Sequence, residues 1–299
     1  MIDIVIVNWN SGTFLAECLG SISANGGGLV ASTVVVDNCS TDGSEACIDR
    51  HETCKLVSTG KNLGFGKGCN LGAGLGAAEY ILFLNPDAKI LPSTLARSQN
   101  FMDSSKAATV GICGVKLLHE SRELAKTCSR FPSPTNLFAK SIGFDRLQPA
   151  WGTRMTEWDH SESRKVDQIM GAYFFVRRSL FEKMGGFDER FFVYYEEVDF
   201  CRRSLSAGWE SWFLADAAAI HYGGGSSEKV KARRLFYSLR SRLLYSRKHF
   251  GVLGSLLTLI ATCLIEPVAR IGRALVRRKF DEVSQTIKAY ALLFARWPS

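Results

Sequence analysis

Three carboxylates fall within four residues directly behind an aromatic run in Phe191-Phe192-Val193-Tyr194-Tyr195-Glu196-Glu197-Val198-Asp199. Crowded carboxylates repel one another, and apolar neighbours disfavour their charged forms. At least one of Glu196, Glu197 and Asp199 is therefore expected to keep its proton above the ordinary carboxylate range, which is how a protein prepares a general base. The same residues also suit the first turn of a helix, where negative charge complements the helix dipole and Arg202 and Arg203 stand one turn on. Residues elsewhere in the chain decide between these readings.

Asp87 follows Leu84-Asn85-Pro86 at a rigid turn, where a single carboxylate suits a hard divalent ion that keeps other positions for diphosphate oxygens and water. A helix cap ahead of Pro92 explains it equally well. Asp37, with Asn38, Ser40 and Asp42 close behind, has the acceptors to hold a nucleobase or ribose, though Asp-Asn-x-Ser is also ordinary turn chemistry. The glycine-rich run Lys61 to Gly68 has neither the order of a P-loop nor the spacing of a dinucleotide fingerprint. His221 opens another glycine-rich stretch, as a metal ligand or as a structural histidine.

The elements that must position these groups alternate. Short apolar runs at Ile4–Val7, Thr33–Val36, Lys55–Ser58 and Tyr80–Leu84 read as strands, and Thr13–Ala24 and Lys61–Ala78 as the helical segments between them. Such alternation predicts an α/β fold with a mostly parallel central sheet flanked by helices, whose ligands gather at the carboxyl ends of the strands. Asn8, Asp37 and Asp87 all fall at that end. Residues 118–165 are poor in periodicity and form either an acceptor-shaping excursion or an ordinary insertion. Regular structure resumes at Gly171–Val176, and a strand from Ser211 leads to His221.

Composition sets the outer bounds. With 299 residues, 46% of them hydrophobic and 22% charged, the chain can bury a full core. Its net charge of +8 lies in the tail, where fifteen Lys or Arg face four acids from Glu228 onward, so no nucleic-acid partner is expected for the main body. Nine cysteines without a C-x-x-C pair indicate neither a zinc site nor a disulfide framework, and point to a reducing compartment. The start Met1-Ile2-Asp3-Ile4 does not look like a secretory signal, which predicts a cytoplasmic protein.

Taken in order, six motifs resemble those of family 2 glycosyltransferases, most closely the branch of bacterial rhamnosyltransferases. They are Asn8-Trp9-Asn10; Asp37-Asn38-Cys39-Ser40-Thr41-Asp42; Asn62-Leu63-Gly64-Phe65-Gly66 with Asn70; Asn85-Pro86-Asp87; Gly185-Gly186-Phe187-Asp188-Glu189 with the Glu196 block; and His221 with Gly225-Ser226. The resemblance spans about residues 1 to 250. It implies a GT-A fold and an inverting transfer, most readily of L-rhamnose from dTDP-L-rhamnose, to a saccharide or polyprenyl-linked acceptor in cell-surface polysaccharide synthesis. Carried across, it assigns donor contacts to Asn8, Asn10, Asp37, Asn38, Asp42, Asn62, Gly64, Phe65, Asn70 and Asn85. It assigns a divalent metal, Mg²⁺ or Mn²⁺, to Asp87 and His221, and the base to Glu197, with Glu196 and Asp199 orienting acceptor or helix. The chain departs from the family pattern at Asn85, where a first metal aspartate is usual, and at Glu197, where the base is usually Asp. A catalytically silent nucleotide-sugar-binding module is the alternative that Asn85 suggests. A nicotinamide oxidoreductase lacks its glycine fingerprint.

The expected division is a GT-A domain over residues 1–227 and a basic helical tail over 228–299. Lys229 to His249 carries eight Lys or Arg and no acid, interleaved with Leu235, Phe236, Leu239, Leu243 and Leu244 at helical spacing, the pattern of an interfacial helix. The apolar Val252–Ile265 that follows is shorter than the roughly 20 residues of a span, and Glu266-Pro267 closes it. Peripheral attachment to the inner face of the cell membrane is one expectation. A helical subdomain packed on the body, or a homodimer contact, is the other.

Overall fold

The computed structural model describes residues 1–51, 53–223 and 230–297. Gly225 and Ser226 of the His221 motif, and the expected boundary at 227, lie outside the described residues.

Strand β1, Ile2–Asn8, is buried along its whole length. Its alternating side chains feed two cores, one on each face of the sheet. Ile2, Ile4 and Ile6 meet Leu15, Cys18, Leu19 and Ile22 of helix α1 (Phe14–Asn25). Val5 and Val7 join Cys69 and Ala73 of α2 (Phe65–Ala73) in the opposite core, which also holds Val198, Phe200 and Cys201 of α6 (Glu196–Ser206). The lone acid inside β1, Asp3, is answered by Arg178, whose Nη2 donates to Oδ2 at 2.7 Å.

Strands β2 (Val30–Asp37), β3 (Cys54–Ser58) and β4 (Tyr80–Leu84) lie parallel to β1 in the order β3-β2-β1-β4. This is the parallel half that the alternating runs predict. Beyond β4 the sheet becomes mixed. Strand β9 (Tyr173–Arg177) inserts antiparallel between β4 and β6 (Val110–Leu118), and the twelve-residue β10 (Glu210–His221) runs parallel to β6. A register shift between Leu214 and Ala218 lets the end of β10 pair antiparallel with the short β5 (Ala88–Ile90), so that His221 stands opposite Ala88.

The excursion after β6 carries β7 (Leu124–Ala125), α4 (Pro134–Ile142) and β8 (Arg164–Val166). Helix α4 has a capping box between Ser133 and Asn136 and a proline in its first turn. Helices α3 (Thr94–Asp103) and α5 (Arg178–Lys183) follow β5 and β9.

Two expectations for the tail are corrected. The apolar side of α7 (Lys231–His249) faces protein, not an interface: Phe236, Leu239 and Leu243 are buried with Ala289, Tyr290 and Leu293 of α10 (Phe280–Ala295), and Tyr245 joins the core beside α6. Nor does Glu266-Pro267 close the next helix. α8 (Gly251–Ile260), a π turn (Ala261–Ile265) and α9 (Glu266–Val276) make one 26-residue helix, long and apolar enough to cross a membrane by length and composition. Pro267 is accommodated in the first turn of α9, and Glu266 is buried in an ion pair with Arg242 of α7 and Arg270.

Candidate active site

Asn8 and Asp37 end adjacent parallel strands and face each other in register. The Asn8 amide donates to Asp37 Oδ1 at 2.8 Å, to Ser44 Oγ at 2.9 Å and to Ser40 Oγ at 3.1 Å. Ser40 closes the turn by donating its own N–H to Asp37 Oδ2 at 3.0 Å. Asn10 and Asp42 extend the network outward: Asn10 Oδ1 accepts from the Thr41 N–H at 2.7 Å, and Asp42 Oδ2 from the Gly12 N–H at 2.8 Å. Asp42 is held below its ordinary value because hydrogen bonds from Ser44 and Gly12 outweigh the opposing effect of burial. Asp37 is thus a rigid, already bonded acceptor at the strand ends.

Asn38 joins this edge to the next element. Its Nδ2 donates to the Gly64 carbonyl at 3.0 Å, and its Oδ1 accepts from the Leu63 N–H at 3.2 Å. Asn62 caps the same turn from within, accepting from the Gly64 N–H at 2.9 Å. The next N–H, from Phe65, donates to the Phe192 carbonyl at 2.7 Å. Gly64 has φ +86°, and a Cβ there would sit 2.3 Å from that carbonyl oxygen, so only glycine permits the contact. The loop Asn62–Gly66 thereby links the Asp37 turn to the aromatic run that leads into α6. Asn70 is spent on the same junction: its amide pairs with both the N–H and the carbonyl of Phe187 at 2.9 and 2.8 Å.

Tyr194 and Tyr195, immediately before α6, both have left-handed backbones, with φ of 68° and 73°. Two successive bulky residues in that region mark a strained turn held by its surroundings. The turn presents Glu196 and Glu197 together. Burial, then the charge of Glu197, pushes Glu196 well above its ordinary value; burial also raises Glu197. One carboxylate oxygen of each, Oε2, is buried without a hydrogen-bond partner among the described residues. Glu197 is the more accessible of the two residues.

Asp199 behaves oppositely. Burial raises it, but His249 at 2.8 Å, Lys248 at 2.7 Å and Arg203 at 2.8 Å outweigh burial and hold it below its ordinary value. Lys248 also bonds Asp188 Oδ2 at 2.7 Å. Arg203 is the residue one turn on that the sequence offers as a partner. Lys248 and His249, fifty residues away, carry no signal in the sequence that would pair them with Asp199.

At the other end of the sheet edge, His221 Nε2 lies 3.3 Å from Asp87 Oδ1 and 3.4 Å from the Asn85 amide. Both side chains are nearly enclosed, at 11% and 14% exposure. No cluster of three or more His, Cys, Asp or Glu suited to a metal occurs among the described residues. One carboxylate from the turn after β4 and one imidazole from the end of β10 suit a divalent ion whose remaining positions diphosphate oxygens and water would fill.

The sequence pattern described as Glycosyl transferase family 2 matches residues 3–185. The N-acetylglucosaminyl-diphospho-decaprenol L-rhamnosyltransferase of Mycobacterium tuberculosis is 27% identical over 279 residues, spanning 84% of this chain and 86% of that protein. The low-salt glycan biosynthesis hexosyltransferase Agl10 of Haloferax volcanii is 28% identical over 255 residues, spanning 84% and 76%. Among solved structures, mannosyltransferase PcManGT from Pyrobaculum calidifontis, in complex with GDP-Man and Mn²⁺, superposes with a TM-score of 0.58 at 16% identity, covering 98% of this chain and 80% of that one. That likeness establishes the GT-A fold. A family pattern that covers more than half the chain, on a sheet edge arranged as above, makes this protein a member of glycosyl transferase family 2, in its rhamnosyltransferase-like branch.

Proposed function

We propose that this glycosyltransferase moves L-rhamnose, from dTDP-L-rhamnose, with inversion onto a saccharide carried on a polyprenyl lipid at the inner face of the membrane, in cell-surface polysaccharide synthesis. The observation that carries the chemistry is the pair of buried, unpartnered carboxylate oxygens of Glu196 and Glu197 at the head of α6. The relative from M. tuberculosis, an L-rhamnosyltransferase acting on a diphospho-decaprenol saccharide by its name, supports the transferred sugar and the class of acceptor.

In this mechanism the Asn8, Asn10, Asp37, Asn38 and Asp42 network receives the nucleoside, with its acceptors already oriented. Glu197, kept proton-hungry by burial, takes the proton of an acceptor hydroxyl. That hydroxyl attacks the anomeric carbon from the face opposite the departing diphosphate, so the configuration inverts in one displacement. Glu196, raised by burial and by the charge of Glu197, lies beside the base, and Asp199 anchors the helix. Asp87 and His221 would hold a divalent metal. When bound, that ion offsets the charge growing on the diphosphate.

Glu197→Gln is expected to lower turnover of dTDP-L-rhamnose at least about a thousandfold while donor binding, followed by thermal stabilisation, stays within about twofold. Normal turnover by this variant would remove Glu197 as the base. Turnover by the unaltered protein of another nucleotide sugar in preference to dTDP-L-rhamnose would remove the donor assignment.

A further inference from the structure

The helix Gly251–Val276 buries only 28% of its apolar window, although it packs against α4, α7 and α10. What it buries is small: Gly254, Thr258, Ala261, Thr262 and Ala274, with Glu266 as the one charge. What it exposes is large. Val252, Leu253, Leu256, Leu257, Ile260, Leu264, Val268 and Leu275 are between 39% and 85% exposed. Steps of three and four residues keep Leu253, Leu257, Ile260 and Leu264 along one side. The π turn at Ala261–Ile265 lies within this run, and Val268 and Leu275 continue it at steps of four and seven residues. The result is a continuous apolar stripe opposite the small-residue face. Phe138 and Ile142 of α4, which packs against this helix, and Phe144 and Leu147 just beyond α4 are exposed too.

One end of this surface is strongly basic. Arg273 sits against the turn at Gly143, its Nη2 being 3.3 Å from where a Cβ would stand. Burial, then the charges of Arg146, Arg270 and Arg277, lowers its proton affinity, with Asp145 the opposing acid. Arg277, Arg278 and Lys279 continue the cluster and are exposed. Like charges gathered at the edge of an apolar stripe repel one another in the isolated protein and gain when they meet a layer of phosphates.

We infer that the α8–α9 stripe lies flat in the headgroup region of an anionic bilayer leaflet, with the Arg146, Arg273, Arg277, Arg278 and Lys279 cluster on its lipid phosphates. The apolar face and flanking cations are those of an interfacial helix. Crossing the bilayer is disfavoured by the same geometry. A spanning helix would carry Glu266, Arg270 and Arg273 into hydrocarbon and strip Arg242 on α7 of its buried partner. A second copy packed in parallel would lay the basic cluster beside its own duplicate, whereas an anionic leaflet answers the apolar stripe and the cations together. The helix that bears the stripe begins two residues after His249, which bonds Asp199 of α6, so the membrane contact starts close to the helix that carries Glu197.

This inference deepens the lipid-carried acceptor reading, and its test is independent of turnover. Full-length protein is mixed with phosphatidylglycerol–phosphatidylcholine vesicles and with phosphatidylcholine vesicles, and sedimented. Binding to the anionic vesicles that weakens with salt is expected. Leu253→Glu with Leu257→Glu should weaken it at least about tenfold, as should Arg277→Glu with Arg278→Glu, all at unchanged melting temperature and unchanged donor turnover. Failure of the unaltered protein to bind, binding by either variant pair as tight as that of the unaltered protein, or a dimer in solution that the leucine variants convert to monomer would each overturn the inference. Vesicle binding without rhamnosyl transfer would count against the donor and acceptor reading alone.

Discussion

Burial raises the proton affinity of Glu197, and a base of raised affinity loses activity at a higher pH as its solution is acidified. The acidic limb of kcat/KM is therefore expected above the ordinary glutamate value of 4.5, measured with saturating metal and the preferred nucleotide sugar. A limb at or below that value would mean that the group titrating in the free enzyme is not Glu197. Which carboxylate of the block stays proton-hungry could not be read from Glu196-Glu197-Val198-Asp199 alone. All three share a turn and a sequence neighbourhood, yet two have a buried, unpartnered oxygen and the third meets Arg203, Lys248 and His249. The difference lies in partners brought from other parts of the chain. Asp37 was more legible, because the residues that bond it, Asn8 and Ser40, end the neighbouring strand or follow within the same turn.

Among the elements, the loop Asn62–Gly66 couples two halves of the site that share no sequence proximity. Gly64→Ala would place a Cβ 2.3 Å from the Phe192 carbonyl at a left-handed φ. It is expected to cost on the order of 2 kcal/mol of stability. It should also lower turnover more than donor affinity, since the displaced segment leads into Glu197; urea unfolding and separate kcat and KM values would read the two effects. Unaltered stability would show that the loop can yield. Strands β1 to β4 were legible because each is a short apolar run that stops in polar residues. β5 was not, because three residues leave no periodic trace, and although regular structure was legible at Gly171–Val176, the antiparallel place of β9 was not, because its partners β4 and β6 are distant in sequence. The tail misled for a related reason: an amphipathic pattern says that a helix has an apolar side and nothing about what covers it. In α7 that side met α10 and the core beside α6; in α8 and α9 it stayed open.

For the molecule as a whole, the joint between α7 and α6 sets its response to acid. Asp188 is held low chiefly by Arg190, then by Lys248, and Asp199 is held low against burial by its bonds to His249, Lys248 and Arg203. Groups depressed in the folded state stabilise it fully above their unfolded value, near 3.8, and lose that contribution as pH falls from there through the folded values. Lys248→Met is expected to reduce stability at neutral pH by about 1–2 kcal/mol, less than for an ion pair with a single partner, because Arg203 and His249 remain on Asp199. The gap between variant and parent should narrow in strong acid, where both aspartates are protonated; thermal melts across pH would show it, and a gap independent of pH would assign the loss to packing. The side chains that end α7 therefore neutralise an acid inside the helix that starts the chemistry. A chimera that takes its last helices from a relative must also take an α6 whose buried charge those helices can answer, so base helix and tail form a single unit of exchange.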